Sequence, residues 1–202
     1  MKFMEASFFT RHPFMKDLIS LIIFVVCVVI GTILINTFVF RSFNVVGPSM
    51  ETTLYTGDRL IVNRVPVTIA QIQNKSYIPD RGQVIVFRNP HYSLGIEDEY
   101  IVKRVIAFPG ERVVLKDGHY TVYNAEFPAG FYPDDANHGE PGTPTTGEVD
   151  KVVPENELFV SGDHRVGNFS YDSRNGLGTV PYYDVVGPVS MRIFPFNKIR
   201  SF

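Results

Sequence analysis

The chain has 202 residues, 45% of them hydrophobic, with a formal net charge of −2. That length suffices for one well-cored domain and not comfortably for two. The near-balanced charge gives no sign of a nucleic-acid partner, and none is expected; a lone cysteine, Cys27, excludes a disulfide framework.

The first element is an apolar run over residues 18–40, 23 residues with no charged side chain and Asn36 as its strongly polar member. A hydrocarbon core of about 30 Å needs ~20 helical residues, so the run is long enough to span a lipid bilayer. It has no polar stripe, as a buried soluble helix would. The bulky Thr37-Phe38-Val39-Phe40 that closes it lacks the small residues of a signal-peptide cut. The sequence therefore predicts a single uncleaved N-terminal transmembrane helix. Lys2, Arg11 and Lys16 precede the span, and Arg41 is the basic residue close behind it. Positive-inside bias then puts a short N-terminus, residues 1–17, in the cytoplasm and residues 41–202 outside.

Residues 41–202 read as mainly β, with short runs of Val, Ile, Phe and Tyr punctuated by Gly, Pro, Asp and Asn. The predicted strands are 43–46, 59–63, 83–87, 100–108, 112–116, 120–123, 158–161 and 185–193. No long helical period follows the anchor, so an antiparallel sheet domain is expected. Residues 124–157 stand apart, with five prolines, four glycines and eight acidic residues against the single Lys151. They read as a long excursion from the sheet. Asp134, Asp135, His138 and Glu140 lie within it, but their spacing matches no established ligand pattern, and no metal or other cofactor is expected.

Three segments can carry chemistry. In Gly47-Pro48-Ser49-Met50, a turn after the apolar Asn44-Val45-Val46 lets the Ser49 hydroxyl project, with its own N–H near a developing oxyanion. In Tyr100-Ile101-Val102-Lys103-Arg104-Val105-Ile106, period-two alternation puts Lys103 and Arg104 on opposite faces of an apolar, central strand. Burial disfavours an ammonium, so the Lys103 pKa is expected to fall toward neutrality, as a general base requires. The third segment runs from Gly162-Asp163-His164 to Ser170-Tyr171-Asp172-Ser173-Arg174. There Asp163 and Asp172 can pair with Arg104 and Arg174, and Ser170 can orient a nearby amine.

Together the anchor and these segments resemble the bacterial type I signal peptidases. The matching blocks are Gly47-Pro48-Ser49-Met50, then Leu54-Tyr55-Thr56-Gly57-Asp58, then Lys103-Arg104-Val105 leading to Pro109-Gly110, then Gly162-Asp163-His164 through Arg174. The resemblance implies a plasma-membrane serine endopeptidase that removes signal peptides from exported preproteins after small-x-small sites. It implies Ser49 as nucleophile, Lys103 as general base and the Ser49 N–H as oxyanion donor. Ser170 would orient the lysine, with Ser173 in reserve, and Asp163, Asp172, Arg104 and Arg174 would brace the site. Three positions depart from the pattern. Thr52 stands where many members have Pro, Gly47 where some have an oxyanion-hole Ser, and His164 where Asn is usual, with two extra residues before Ser170. Two other readings remain: a tethered Ser–Lys protease with another substrate, and an inactive anchored β-domain acting as a scaffold.

Overall fold

The computed structural model describes residues 13–94, 98–137, 141 and 143–202. The apolar run forms helix α1 (Pro13–Leu34), which continues through a π-helical turn at Ile35–Val39. From Phe14 to Val39 this helix is long and apolar enough to cross a membrane, and its apolar window buries nothing against the rest of the chain. A helix with apolar side chains on every side and no protein cover fits lipid better than water.

The remainder is antiparallel β. In chain order the strands are β1 (Phe40–Asn44), β2 (Arg59–Asn63), β3 (Val84–Arg88), β4 (Tyr100–Ala107), β5 (Arg112–Lys116) and β6 (His119–Tyr123). They continue with β7 (Val149–Val152), β8 (Glu157–Ser161), β9 (Val180–Pro181), β10 (Val185–Phe194) and β11 (Arg200–Ser201). An eight-stranded sheet has the order β1-β2-β10-β3-β4-β8-β9, with β11 added to β10. A second sheet has the order β6-β5-β7. The long β10 turns the larger sheet, pairing β3 through its first half and β2 through its second, with register shifts within both pairings. Such bulges sharpen the local twist and curl a sheet on itself. The crowding falls at Gly187, where a Cβ would sit 2.3 Å from the Asn63 carbonyl.

Burial follows the pattern of side chains. In β3 both faces are covered: Val84 and Val86 enter one cluster with Met50, Leu54 and Leu60, while Ile85 and Phe87 enter another with Val105, Leu158 and Val160. A third cluster, including Ile106, Leu115, Tyr120 and Phe159, joins the small sheet to β4 and β8. Each fully buried Leu, Ile or Phe contributes on the order of 2 kcal/mol, and this burial replaces the missing disulfides.

Four local differences from the sequence expectation have simple causes. The first strand begins at Phe40, not residue 43, because Phe40 to Asn44 register directly against Asn63 to Arg59. An unexpected short helix, α2 (Val65–Ile72), carries Pro66 in its first turn, where a missing N–H costs nothing. Strand β7 lies inside the acidic 124–157 excursion and pairs with β5; only Val149 of its four residues is buried, so its sequence lacks a strand's apolar signature. The short β9 and β11 each span two residues and are defined by their partners alone.

Candidate active site

The turn after β1 is fixed from below. Met50 and Leu54 are fully buried, the Leu54 N–H donates to the Met50 carbonyl at 2.8 Å, and the Glu51 N–H donates to the Pro48 carbonyl at 3.0 Å. Arg192, buried within β10, closes the far side by donating to the Thr53 carbonyl (3.1 Å) and the Asp58 carboxylate (2.9 Å). With Met50 held in the core, its neighbour Ser49 is left half-buried at the surface of a cleft of about 720 Å³. Gly47, at φ +87°, supplies the left-handed step into the turn.

Lys103 projects from β4 into that cleft and is only 2% exposed. Its Nζ lies 2.8 Å from the Ser49 Oγ and donates to the Val102 carbonyl at 2.9 Å. Burial lowers its pKa to about 8, against the opposing pull of Asp172, Asp163 and Asp98. At that value roughly a tenth of the lysine is neutral at pH 7, far more than for an unperturbed lysine, and a neutral amine at this separation can accept a hydroxyl proton. Among the described residues no hydrogen bond engages the Ser49 N–H, which leaves it able to donate to an oxyanion.

On the opposite face of β4, the buried Arg104 forms a bidentate pair with Asp163 (2.8 and 2.6 Å) and donates to the Gly82 carbonyl. The Thr53 hydroxyl donates to the same Asp163 carboxylate. One acid thus ties β4, the loop after β8 and the end of the Ser49 turn together. Asp172 accepts from the backbone N–H groups of Gly162, Arg174 and Asn175, and pairs at 3.5 Å with the Arg174 guanidinium. Arg174 in turn donates to the Arg165 and Thr146 carbonyls.

Ser170 is fully buried, and its Oγ has no hydrogen-bond partner among the described residues. Ser173 is placed differently: its Oγ accepts the Val160 N–H at 2.9 Å, committing it to β8. Gly162 lies between the two halves of the site. A Cβ there would stand 2.1 Å from the Ser170 Oγ and 2.2 Å from the Ser49 carbonyl, so only glycine permits this approach.

Two contributors carry no role in the sequence reading. The buried Arg165 is held by both carboxylate oxygens of Asp134 (2.7 and 2.8 Å), which fastens the acidic excursion behind the site. His164 donates its backbone N–H to the Ser49 carbonyl (3.1 Å) and its ring Nδ1–H to the Pro48 carbonyl (3.1 Å), and stacks on Phe169. Nothing in a single sequence marks either pairing, because each joins segments more than 30 residues apart. Asp134 is engaged by an arginine, no metal-binding group of three occurs among the described residues, and His138 and Glu140 lie outside them.

The signal peptidase, peptidase S26 family model matches residues 15–194. The chain belongs to this family. Signal peptidase I of Bacillus licheniformis is 32% identical over 183 residues, covering 88% of this chain and 89% of its own. Signal peptidase I T of Bacillus subtilis (strain 168) is 32% identical over 179 residues, covering 88% and 86%. A solved signal peptidase I from Enterococcus faecalis V583 covers 55% of this chain and 96% of its own at 26% identity, with a TM-score of 0.41. As a member of the signal peptidase family, the chain is a serine endopeptidase acting on signal peptides. Its sheet fold is the antiparallel one the sequence predicts.

Proposed function

We propose that the chain cleaves signal peptides from exported preproteins with Ser49 as nucleophile and Lys103 as general base. The observation that carries this reading is the 2.8 Å approach of the buried Lys103 Nζ to the Ser49 Oγ. The Ser49 Oγ attacks the scissile carbonyl carbon while its proton passes to the neutral Lys103 Nζ. The resulting oxyanion is held by the Ser49 N–H. The lysine ammonium then gives its proton to the departing amine nitrogen as the C–N bond breaks, leaving an acyl-enzyme. Lys103 next takes a proton from an attacking water, and collapse of the second tetrahedral species breaks the Oγ–C bond and releases the acid while the ammonium returns that proton to the Ser49 Oγ. Ser170 is assigned to orient the Lys103 amine; its buried hydroxyl makes no hydrogen bond among the described residues, to Lys103 included, and the amine bonds the Ser49 Oγ and the Val102 carbonyl instead, so the assignment rests on the family resemblance and on a free buried hydroxyl.

The substrate is read as an extended strand. Strand β8 pairs with β4 only from Arg104 onward, so Tyr100 to Lys103 present an open edge to the cleft. The other wall is the segment from Phe43 to Ser49, the end of the edge strand β1 and the turn that follows it. A peptide added between these two edges gains backbone hydrogen bonds from both, with alternate side chains directed into the cleft. Cleavage after small residues at the first and third positions before the cut is part of this proposal.

Helix α1 is read as the membrane anchor, with the N-terminus inside and residues 41–202 outside. Ser49 follows Phe40, the first residue past the helix, by nine positions, a tether of at most ~30 Å. The nucleophile is thereby kept at the height where a membrane-inserted signal peptide emerges.

The test is cleavage of a purified preprotein in liposomes by wild type, Ser49→Ala and Lys103→Ala, with the new N-terminus read by mass spectrometry. Cutting after a small-x-small site by wild type, with both variants inactive, is the expected result. A variant as active as wild type would overturn the assigned pair.

A further inference from the structure

Where α1 ends, the chain builds a second cavity of about 550 Å³, separate from the catalytic cleft. It is lined by Asn36, Thr37, Arg41, Ser42, Arg59 and Arg64. Three arginines share this space, and their recorded partners are neutral. Arg41 donates to the Tyr100 hydroxyl, Arg59 to the Ser42 hydroxyl and Arg64 to the Thr37 carbonyl. Among the described residues none of the three is within salt-bridge reach of a carboxylate, unlike Arg104, Arg165, Arg174 and Arg192. The Arg64 guanidinium is pushed below its usual pKa, first by burial and then by the Arg41 charge. Gathering like charges in a partly enclosed space costs free energy that a bound anion would offset.

The surroundings indicate which anion. Helix α2 is stitched to the last turn of the apolar helix: the Arg64 N–H donates to the Val39 carbonyl, and the Thr68 hydroxyl donates to the Phe38 carbonyl. At about 100° per residue, Val65, Ile69 and Ile72 fall within roughly 60° of one another, on the flank beside Thr68. All three are exposed, Ile72 at 76%. The result is a basic cavity and an apolar stripe side by side at the end of a helix long enough to cross a bilayer.

We propose that this junction is a binding site for an anionic phospholipid, with Arg41, Arg59 and Arg64 holding the phosphodiester and acyl chains lying along Val65, Ile69 and Ile72. The inference rests on reading α1 as a membrane anchor. Guanidinium forks match phosphate oxygens in geometry and charge, whereas a zwitterionic headgroup would add a cation that the arginines repel. The site would set the height and tilt of the catalytic domain over the membrane.

The experiment uses the full chain in detergent, mixed with phosphatidylglycerol or phosphatidylcholine, and reads retained lipid by native mass spectrometry. Phosphatidylglycerol should be retained in preference. The double substitution Arg59→Gln/Arg64→Gln should weaken that retention on the order of tenfold. Preprotein cleavage in detergent should stay at the wild-type rate, which also shows that the variant folds. A separate variant, Ile69→Gln/Ile72→Gln, should lower retention of phosphatidylglycerol without removing its preference over phosphatidylcholine. Equal retention of the two lipids, or a double arginine variant that holds phosphatidylglycerol as wild type does, would overturn the site. Full displacement of the lipid by inorganic phosphate alone, with the apolar variant unaffected, would overturn the lipid assignment in favour of a simple anion site. Lipid retention and cleavage are read separately, so loss of one leaves the other interpretable.

Discussion

The backbone N–H of His164 donates to the carbonyl of Ser49 at 3.1 Å, while its ring donates to the carbonyl of Pro48 at the same distance. The Ser49 turn is therefore clamped from outside by one residue, as Met50 clamps it from within. The backbone bond survives any side-chain change except proline; the ring bond does not. His164→Ala should lower kcat by about two- to tenfold, the value of one partly exposed hydrogen bond, with KM little changed. His164→Asn, which can still donate to Pro48, should recover most of the loss. Steady-state kinetics on a preprotein checks both.

Activity should depend on the free amine of Lys103. Its pKa of about 8 predicts that kcat/KM rises with pH and levels off above that value. Lys103→Arg should be as inactive as Lys103→Ala, because a guanidinium keeps its proton across this range. Either variant, like Ser49→Ala, should lose ~1,000-fold or more in rate. A pH–rate profile flat from mildly acid to alkaline conditions would count against the lysine base.

The same depressed pKa makes a stability prediction of defined sign. The unfolded chain holds the Lys103 proton up to about 10.5, whereas the folded chain releases it near 8. Between those values the unfolded state binds more protons, so this group's contribution to stability rises with pH, and below about 8 the buried charge is a net cost. Lys103→Met, similar in length and uncharged, should therefore match or exceed the wild-type Tm at pH 7. Its advantage should shrink as pH approaches 10. Thermal unfolding of the two proteins across that range is the measurement.

Asp163 serves Arg104 and Thr53 at once, so its removal strands a buried guanidinium. Asp163→Asn should destabilise by about 3–5 kcal/mol, the usual cost of leaving one member of a buried pair. Asp163→Asn combined with Arg104→Met should be less destabilised than the single change, as chemical denaturation of the series would reveal.

Gly162→Ala places a methyl 2.2 Å from the Ser49 carbonyl and 2.1 Å from the Ser170 Oγ. Activity should fall by at least ~100-fold, since sub-ångström displacement of a nucleophile is enough for such losses. Binding of an uncleavable signal peptide, measured by calorimetry, should be affected far less than kcat.

What the sequence by itself determined was the chemistry of each segment. An uncharged run of the right length specified a membrane-length helix, because lipid demands apolar side chains and internal backbone pairing. A lysine and an arginine adjacent in an otherwise apolar strand announced two buried charges on opposite faces, and the structure places each there. The acids that could answer Arg104 and Arg174 were readable as Asp163 and Asp172, because buried charges require partners. Tertiary structure alone decided which groups meet. Ser49 and Lys103 are 54 residues apart in the chain, and their 2.8 Å separation follows from the curl that β10 imposes on the sheet. The same holds for Asp134 with Arg165 and for His164 with Pro48. It holds too for the short helix α2, whose Val- and Ile-rich sequence has little helical propensity and is kept helical by its bonds to the end of α1. Local patterns record burial and backbone preference; contacts across the fold depend on register and curvature, which no local pattern encodes.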